Sequence, residues 1–176
     1  MDYSSITELD LSNKGLTELP DLSKYTNLKK LDCSYNKITH LDNLPLSLLV
    51  LHCFNNKITS LDNLPLSLKI LNCCKNQITH LDNLPLSLTQ LYCSGNQITH
   101  LDNLPFGLQI LYCSDNQITY LDNLPLSLTE LYCSNNKITH LDNLQPTLTE
   151  LDCSNNLLSY DFKPTLENIR KHNQKN

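Results

Sequence analysis

Leucine recurs along this chain at a spacing that no single helix or strand explains. From residue 28 onward the pattern L-x-x-L-x-C-x-x-N-x-I-T-x-L-D-N-L-P-x-S returns every 20 residues and fades after Asn156. Within the copy at 84–103, the run Gln90, Leu91, Tyr92, Cys93, Ser94 alternates apolar and polar. Leu91 and Cys93 share one face and Gln90, Tyr92 and Ser94 the other, the period of a half-buried strand. A fixed period of this length is the signature of a solenoid. One strand per copy then stacks in parallel on the next at about 4.8 Å. Each coil's Leu, Cys and Ile side chains are covered only by its neighbours, so stability is roughly a nearest-neighbour sum.

The return segments are short and carry Pro45, Pro65, Pro85, Pro105 and Pro125, with the proline displaced by one in Gln145-Pro146. Proline fixes φ, donates no backbone bond and pushes its predecessor into an extended form. The side opposite the strands is therefore expected to be extended and polyproline-like, with tight turns and no regular helix. Gly107 stands where the recurrent Ser is expected, beside Phe106, and nothing in the pattern interprets it.

Both ends depart from the pattern, as terminal repeats of a stack do. Residues 1–30 read as an N-terminal cap: the first unit is 22 residues long, and Lys14 occupies the phase of the recurrent Asn. Residues 20–25 are predicted to form a short helical turn capped by Asp21. Residues 31–158 are the regular repeats and 159–176 a C-terminal cap, the whole making one domain. There Asp161 falls at the phase of Leu141, with Phe162 taking over its packing. A short amphipathic helix is predicted over 164–171, with Leu166 and Ile169 on one face, followed by a tail that frays from about His172.

Asn36, Asn56, Asn76, Asn96, Asn116, Asn136 and Asn156 share one phase between the buried Cys and Ile positions. An inward-facing amide there has two donors and two acceptors for the backbone leaving each strand, which predicts a bonded asparagine ladder. The segment L-x-x-L-x-C-x-x-N-x-I resembles the leucine-rich repeat signature, with Cys in place of the usual Leu. The 20-residue period with Leu-Pro leading into the next strand resembles the short repeats of bacterial type III effectors. The near-identical LxCSxNxITxLDNLPxSL units are similar to repeat proteins of giant amoeba viruses. The resemblance spans residues 9–158. It implies a leucine-rich repeat solenoid, α/β by convention, with a curved parallel β-sheet on the concave face. It also implies an intracellular, host-directed role.

Composition narrows the function classes. The chain has 176 residues, is 40% hydrophobic and carries a formal net charge of −5. That balance lacks the basic stripe of a nucleic-acid binder and disfavours an anionic membrane surface. No apolar run is long enough for a span, and residues 1–5 do not resemble a secretory signal. Seven of the eight cysteines, Cys33, Cys53, Cys73, Cys93, Cys113, Cys133 and Cys153, replace a core Leu. A disulfide or metal set is the competing reading, but C-x-x-C spacing is absent and free Cys packs as a small hydrophobe. A file of free thiols suits a reducing compartment, so a cytoplasmic location is expected. Cys74 lies on the outward phase and is expected to be the exposed, reactive thiol.

Outward strand positions vary between copies while the core does not. The central column is Asp10, Asp32, His52, Asn72, Tyr92, Tyr112, Tyr132 and Asp152. The column before it holds Lys30, Val50, Ile70, Gln90, Ile110, Glu130 and Glu150; the one after holds Ser34, Phe54, Cys74, Ser94, Ser114, Ser134 and Ser154. Tyr92, Tyr112 and Tyr132, with Ile70, Ile110, His52 and Phe54, make the candidate partner-binding set, since Tyr is a good interface anchor. The same tyrosines also read as a self-stacked column supporting the sheet, and the two readings are compatible. His40, His80, His100 and His140 share a phase without a converging third ligand, which favours a surface edge over a metal site. Asp42, Asp62, Asp82, Asp102, Asp122 and Asp142 stand beside an Asn column. Bonding to their own turn backbones is favoured over a bridging cation.

No nucleophile, base and orienter converge, and three Gly make no phosphate loop. The expectation is a non-catalytic protein-interaction module without a cofactor, its partner docking on the concave face. Two alternatives stand: a self-assembling structural repeat, and a metal-dependent activity on the His and Asp columns.

Overall fold

The computed structural model describes residues 3–142 and 144–174. Asn143, a member of the Asn column, lies outside the described residues. Eight three-residue strands form one parallel sheet in sequential order. They are β1 (Glu8–Asp10), β2 (Lys30–Asp32), β3 (Val50–His52), β4 (Ile70–Asn72), β5 (Gln90–Tyr92), β6 (Ile110–Tyr112), β7 (Glu130–Tyr132) and β8 (Glu150–Asp152). The register is the repeat itself: Leu71 pairs with Leu91, Leu91 with Leu111 and Leu111 with Leu131. Each central Leu from Leu31 to Leu131 is fully buried while the residues flanking it face outward. Strands are shorter than the alternation suggests, but the ladder continues past them: Cys93 N–H donates to Tyr112 at 2.7 Å and Gly95 N–H to Ser114 at 2.9 Å.

The core is one continuous file of Leu, Cys and Ile running the length of the stack. Repeating positions bury the same side chain in every coil, so no coil closes a core without its neighbours. All eight cysteines are free thiols. Burial, aided by nearby Asp32, pushes the Cys33 thiol up to about 12. Burial drives Cys53, Cys73, Cys93 and Cys113 well up too. Cys74 departs from expectation. It is half-buried, and burial pushes its thiol above the usual 9.0, which disfavours the reactive thiolate.

The asparagines tie adjacent coils together. Asn96 Nδ2 donates to Cys93 O at 3.0 Å in its own coil and to Cys73 O at 3.1 Å in the preceding one. Its Oδ1 accepts the Ile78 N–H at 3.0 Å. The same set recurs at Asn56, Asn76, Asn116, Asn136 and Asn156. Asn36 closes the first coil differently, accepting the N–H of both Lys14 and Leu16.

A second ladder runs along the return segments, where sequence reasoning saw only a recurrent Ser. Ser67 Oγ reaches Leu46 O at 2.8 Å and Leu48 O at 2.6 Å. Ser87, Ser127 and Thr147 repeat the contact one coil on. Gly107 breaks this hydroxyl ladder at one rung, leaving the carbonyls of Leu86 and Leu88 without a side-chain partner from the following coil. At the C-terminal end Arg170 takes the place of a hydroxyl, donating through Nη2 to Gln145 O, Pro146 O and Leu148 O at 2.8, 3.2 and 2.9 Å.

The return segments are turns and extended backbone, closed by i→i+3 bonds such as Leu88 N–H to Pro85 O at 3.0 Å. Two positions per coil take the left-handed conformation. Asn43, Asn63, Asn83, Asn103 and Asn123 occupy one; Tyr35, Asn55, Lys75, Gly95, Asp115, Asn135 and Asn155 the other. Asn tolerates this region where most residues do not, which explains the Asn column by backbone shape. The predicted helical turn at 20–25 is instead two consecutive turns, Tyr25 N–H to Leu22 O and Leu28 N–H to Tyr25 O. Asp21 still caps locally, accepting the Ser23 N–H at 2.9 Å. α1 (Leu166–Asn173) starts at Thr165, whose side chain accepts the Asn168 N–H, and buries Ile169 completely. It runs past the expected start of the frayed tail. His172 packs against the Tyr160 and Phe162 rings, each at 5.4 Å, and this contact holds the last helical turn.

Candidate functional site

Alternation within β3 to β7 places the candidate residues on the open face of the sheet in one register. His52 pairs with Asn72, Asn72 with Tyr92, Tyr92 with Tyr112 and Tyr112 with Tyr132. Ile70 and Ile110 lie on either side of Gln90 in the adjoining column. All seven candidates, His52, Phe54, Ile70, Tyr92, Ile110, Tyr112 and Tyr132, are half-buried. Phe54 stands apart from the strand columns, its ring edge-on to Tyr35 at 4.9 Å. Beside that pair Ser34, expected to face outward, is fully buried and its Oγ has no partner.

The tyrosines stack on one another. Tyr92 and Tyr112 meet edge-to-face at 4.9 Å, and Tyr112 and Tyr132 tilt together at 4.2 Å. Their hydroxyls are engaged within the sheet: Tyr92 donates to Gln90 at 3.2 Å, Tyr112 to Glu130 at 3.5 Å and Tyr132 to Glu150 at 2.5 Å. The Glu150 carboxylate holds the Tyr132 proton and pushes that hydroxyl well up. Sequence reasoning placed these rings together but not these bonds, because the acceptors sit in the neighbouring column. On the N-terminal side the column opens into a groove of about 430 Å³ lined by Lys30, Val50, His52, Ile70, Asn72, Gln90 and Tyr92. Its walls are aliphatic and amide, with one cation at the end, and Lys30 is paired with Glu8 at 3.6 Å.

The other columns divide differently from expectation. The Asp42 to Asp142 carboxylates are exposed, and among the described residues none of them caps its turn. Asp62 accepts from Ser60 Oγ at 2.6 Å, while Asp82 and Asp102 lie 3.9 and 3.7 Å from His80 and His100. Turn capping belongs to the strand ends: Asp32 accepts the Ser34 N–H, Asn72 the Cys74 N–H and Asp152 the Ser154 N–H. There the side chain of the last strand residue accepts an N–H two residues further on, the reach of an Asx turn. His40, His80, His100 and His140 each place Nδ1 2.8–2.9 Å from the hydroxyl of the preceding Thr, a local pairing along an edge. Among the described residues no three His, Cys, Asp or Glu side chains converge for a metal ion. None of the described helices is long and apolar enough to cross a membrane.

Comparison with known proteins follows the same lines. The family described as Leucine Rich repeats (2 copies) matches residues 4–46, and that described as Leucine Rich Repeat matches 127–146. No curated protein sequence matches. The leucine-rich repeat domain of a Shigella effector is 32% identical over 89% of this chain and 72% of its own, with a TM-score of 0.79. The functional domain of InlJ from Listeria monocytogenes, described as including a cysteine ladder, is 37% identical over 90% of this chain (TM-score 0.70). The effector YopM from Yersinia pestis is 32% identical over 89% (TM-score 0.82). The chain spans 41% and 44% of the last two, less than half of each. These three neighbours are bacterial, and the expected likeness to giant amoeba virus repeat proteins is not shown by them. Register, asparagine ladder and matched structures agree: the chain belongs to the leucine-rich repeat family, whose members commonly serve as protein-interaction modules.

Proposed function

We propose that this chain is a non-catalytic interaction module that binds a protein partner on the open face of its sheet. The observation that carries the reading is the joining of the Tyr92–Tyr112–Tyr132 stack to the 430 Å³ groove around Ile70 and His52. Aromatic anchors held rigidly beside a mostly uncharged groove lose little side-chain entropy on docking. The engaged hydroxyls make the stack part of the scaffold and leave the ring faces and edges, with Ile70 and Ile110, as the contact surface. A location in the cytoplasm, or in a host cell's interior, accords with the file of free buried thiols.

The test is capture on immobilised protein from a host-type lysate. Wild type is compared with Ile70→Asp, with Tyr92→Ala/Tyr112→Ala, and with the edge variant Lys57→Ala, each shown to be folded by circular dichroism. A protein held by wild type and Lys57→Ala but lost from the sheet variants is the expected result. Retention of the same proteins by every variant removes the sheet face from consideration.

A further inference from the structure

The open face of the sheet changes character along its length. Its middle is aliphatic, amide and aromatic, where the groove and the tyrosine stack lie. Its C-terminal end is acidic. Glu130 on β7 stands directly opposite Glu150 on β8, and Asp152 stands opposite Tyr132. Like charges directly opposite in a sheet are destabilising. The tyrosine hydroxyls reach Glu130 and Glu150 but bring no positive charge. From β3 to β8 the three outward columns hold no Lys or Arg. Among the described residues none of these carboxylates is in an ion pair. Hydrogen bonds from Ser154 hold the Asp152 carboxyl below its usual range, so it stays charged. Asp10 and Asp32 are also opposite each other at the far end of the sheet, but there Lys30 on β2 and Lys14 beside Asp10 supply cations. Uncompensated negative charge is therefore confined to β7 and β8.

On the reading that the sheet face is the docking surface, we infer that it takes an extended segment of a partner protein that is apolar at one end and basic at the other, with the basic end over β7 and β8. The groove centres on β4, and β7 and β8 lie three and four strands further on. At about 4.8 Å per strand that is roughly 14–19 Å, the reach of about four to six extended residues. The tyrosine stack floors the interval. A cation over the Tyr112 and Tyr132 rings gains from the ring faces and from the carboxylates at their hydroxyl ends. Arginine is the better fit of the two basic side chains, because its planar fork stacks on rings and pairs with a carboxylate through two bonds. The groove supplies burial of apolar side chains. Glu130, half-buried, and Glu150, exposed, set the direction in which the segment lies and speed its arrival, the usual work of charges at a rim.

The test is selection of a phage-displayed library of random peptides of about 12 residues, long enough to span groove and acidic end, on immobilised full chain. The consensus peptide is then titrated by fluorescence anisotropy. Two or more basic residues, about four to six positions from an aliphatic or aromatic one, are expected, with a Kd of about 1–100 μM. Glu130→Gln/Glu150→Gln keeps an acceptor for each tyrosine hydroxyl and removes both charges. It should bind about three- to thirtyfold more weakly. Asp62→Asn/Asp122→Asn makes the same change in net charge on the edge of the coils and should bind like wild type. Raising NaCl from about 0.1 to about 1 M, over which the screening length falls from about 10 to about 3 Å, should weaken wild type towards the Gln variant. Circular dichroism shows each variant to be folded. Selected peptides without basic residues, no selected peptide at all, or a Gln variant within twofold of wild type each overturn the inference. Where such peptides still lose binding to Ile70→Ala/Tyr92→Ala, the sheet face stands as the docking surface and only the basic partner falls. Binding unchanged in both of these double variants removes the two together.

Discussion

Gly107→Ser should stabilise this protein, because it restores the missing rung of the hydroxyl ladder. At the equivalent rungs the hydroxyls of Ser87 and Ser127 lie 2.6–2.8 Å from two carbonyls of the preceding coil. One hydroxyl proton shared between two carbonyls contributes about 0.5–1.5 kcal/mol net. Replacing Gly adds about 0.4–1 kcal/mol by narrowing the unfolded ensemble, provided the native backbone suits the new residue. It does: Gly107 is not in the left-handed region, and a Cβ built there meets nothing within 4 Å. The sum is about 1–2.5 kcal/mol, or a rise of roughly 2–10 °C in Tm for a chain of this size. Thermal and urea unfolding followed by circular dichroism measure it. Gly107→Ala separates the two contributions, since Ala gains only the backbone part. A Ser variant no more stable than the Ala variant would refute the role given to the hydroxyl. A destabilised Ala variant would refute the backbone argument.

Three further outcomes follow from the ladders and the thiol file. Asn96→Ala should cost about 1–3 kcal/mol, because it orphans the Ile78 N–H and removes one of the two asparagine donors from each of the Cys73 and Cys93 carbonyls, which keep Asn76 and Asn116; a loss below about 1 kcal/mol in urea unfolding would count against the ladder as a stabilising device. Arg170→Ala releases three carbonyls of the last coil, and hydrogen exchange should show faster opening of β8 with β3 to β5 unchanged. Stability should be flat from about pH 6 to 8 and fall steeply as pH rises from about 9 towards about 12. Cys33 and its buried neighbours stay protonated in the fold while the unfolded thiols ionise, so the unfolded state sheds protons first. The slope approaches about 1.4 kcal/mol per pH unit for each participating thiol, and a urea midpoint constant through pH 10.5 would contradict the burial of the file.

What could be read without coordinates was whatever the period alone dictates. Leu91 inward and Tyr92 outward follow from strand alternation, and the inward Asn96 follows from a polar residue trapped between Cys93 and Ile98. Pattern and structure part where one residue type has two physical uses. Asn103 looks like a bonding side chain from its pattern, while its place in the structure is a left-handed backbone. Asp102 sits at a phase that suggests a turn cap, but the partner found for it is His100; the strand-end carboxylates that cap are Asp10, Asp32 and Asp152, members of the central outward column that lie outside the candidate binding set. Cys74 shares the outward phase of Ser94, yet neighbouring coils cover it. Leu86 was absorbed into the leucine pattern although nothing packs over it. The signal for the hydroxyl ladder was present in Ser47, Ser67, Ser87 and Ser127, but a small polar residue after Pro reads as an ordinary turn.

The asparagine ladder also gives the stack a direction in time. Each Asn reaches back to the coil before it, so the Ile78 N–H waits for Asn96, which is made 18 residues later. At about 5–20 residues per second on the ribosome, that is a delay of roughly 1–4 s for every coil. A nascent chain therefore always carries one unfinished coil at its growing end, with backbone groups open to water or to a chaperone. The hydroxyl ladder has its own ending at the last coil, where Arg170 on α1 supplies the donors that a further Ser or Thr would have brought.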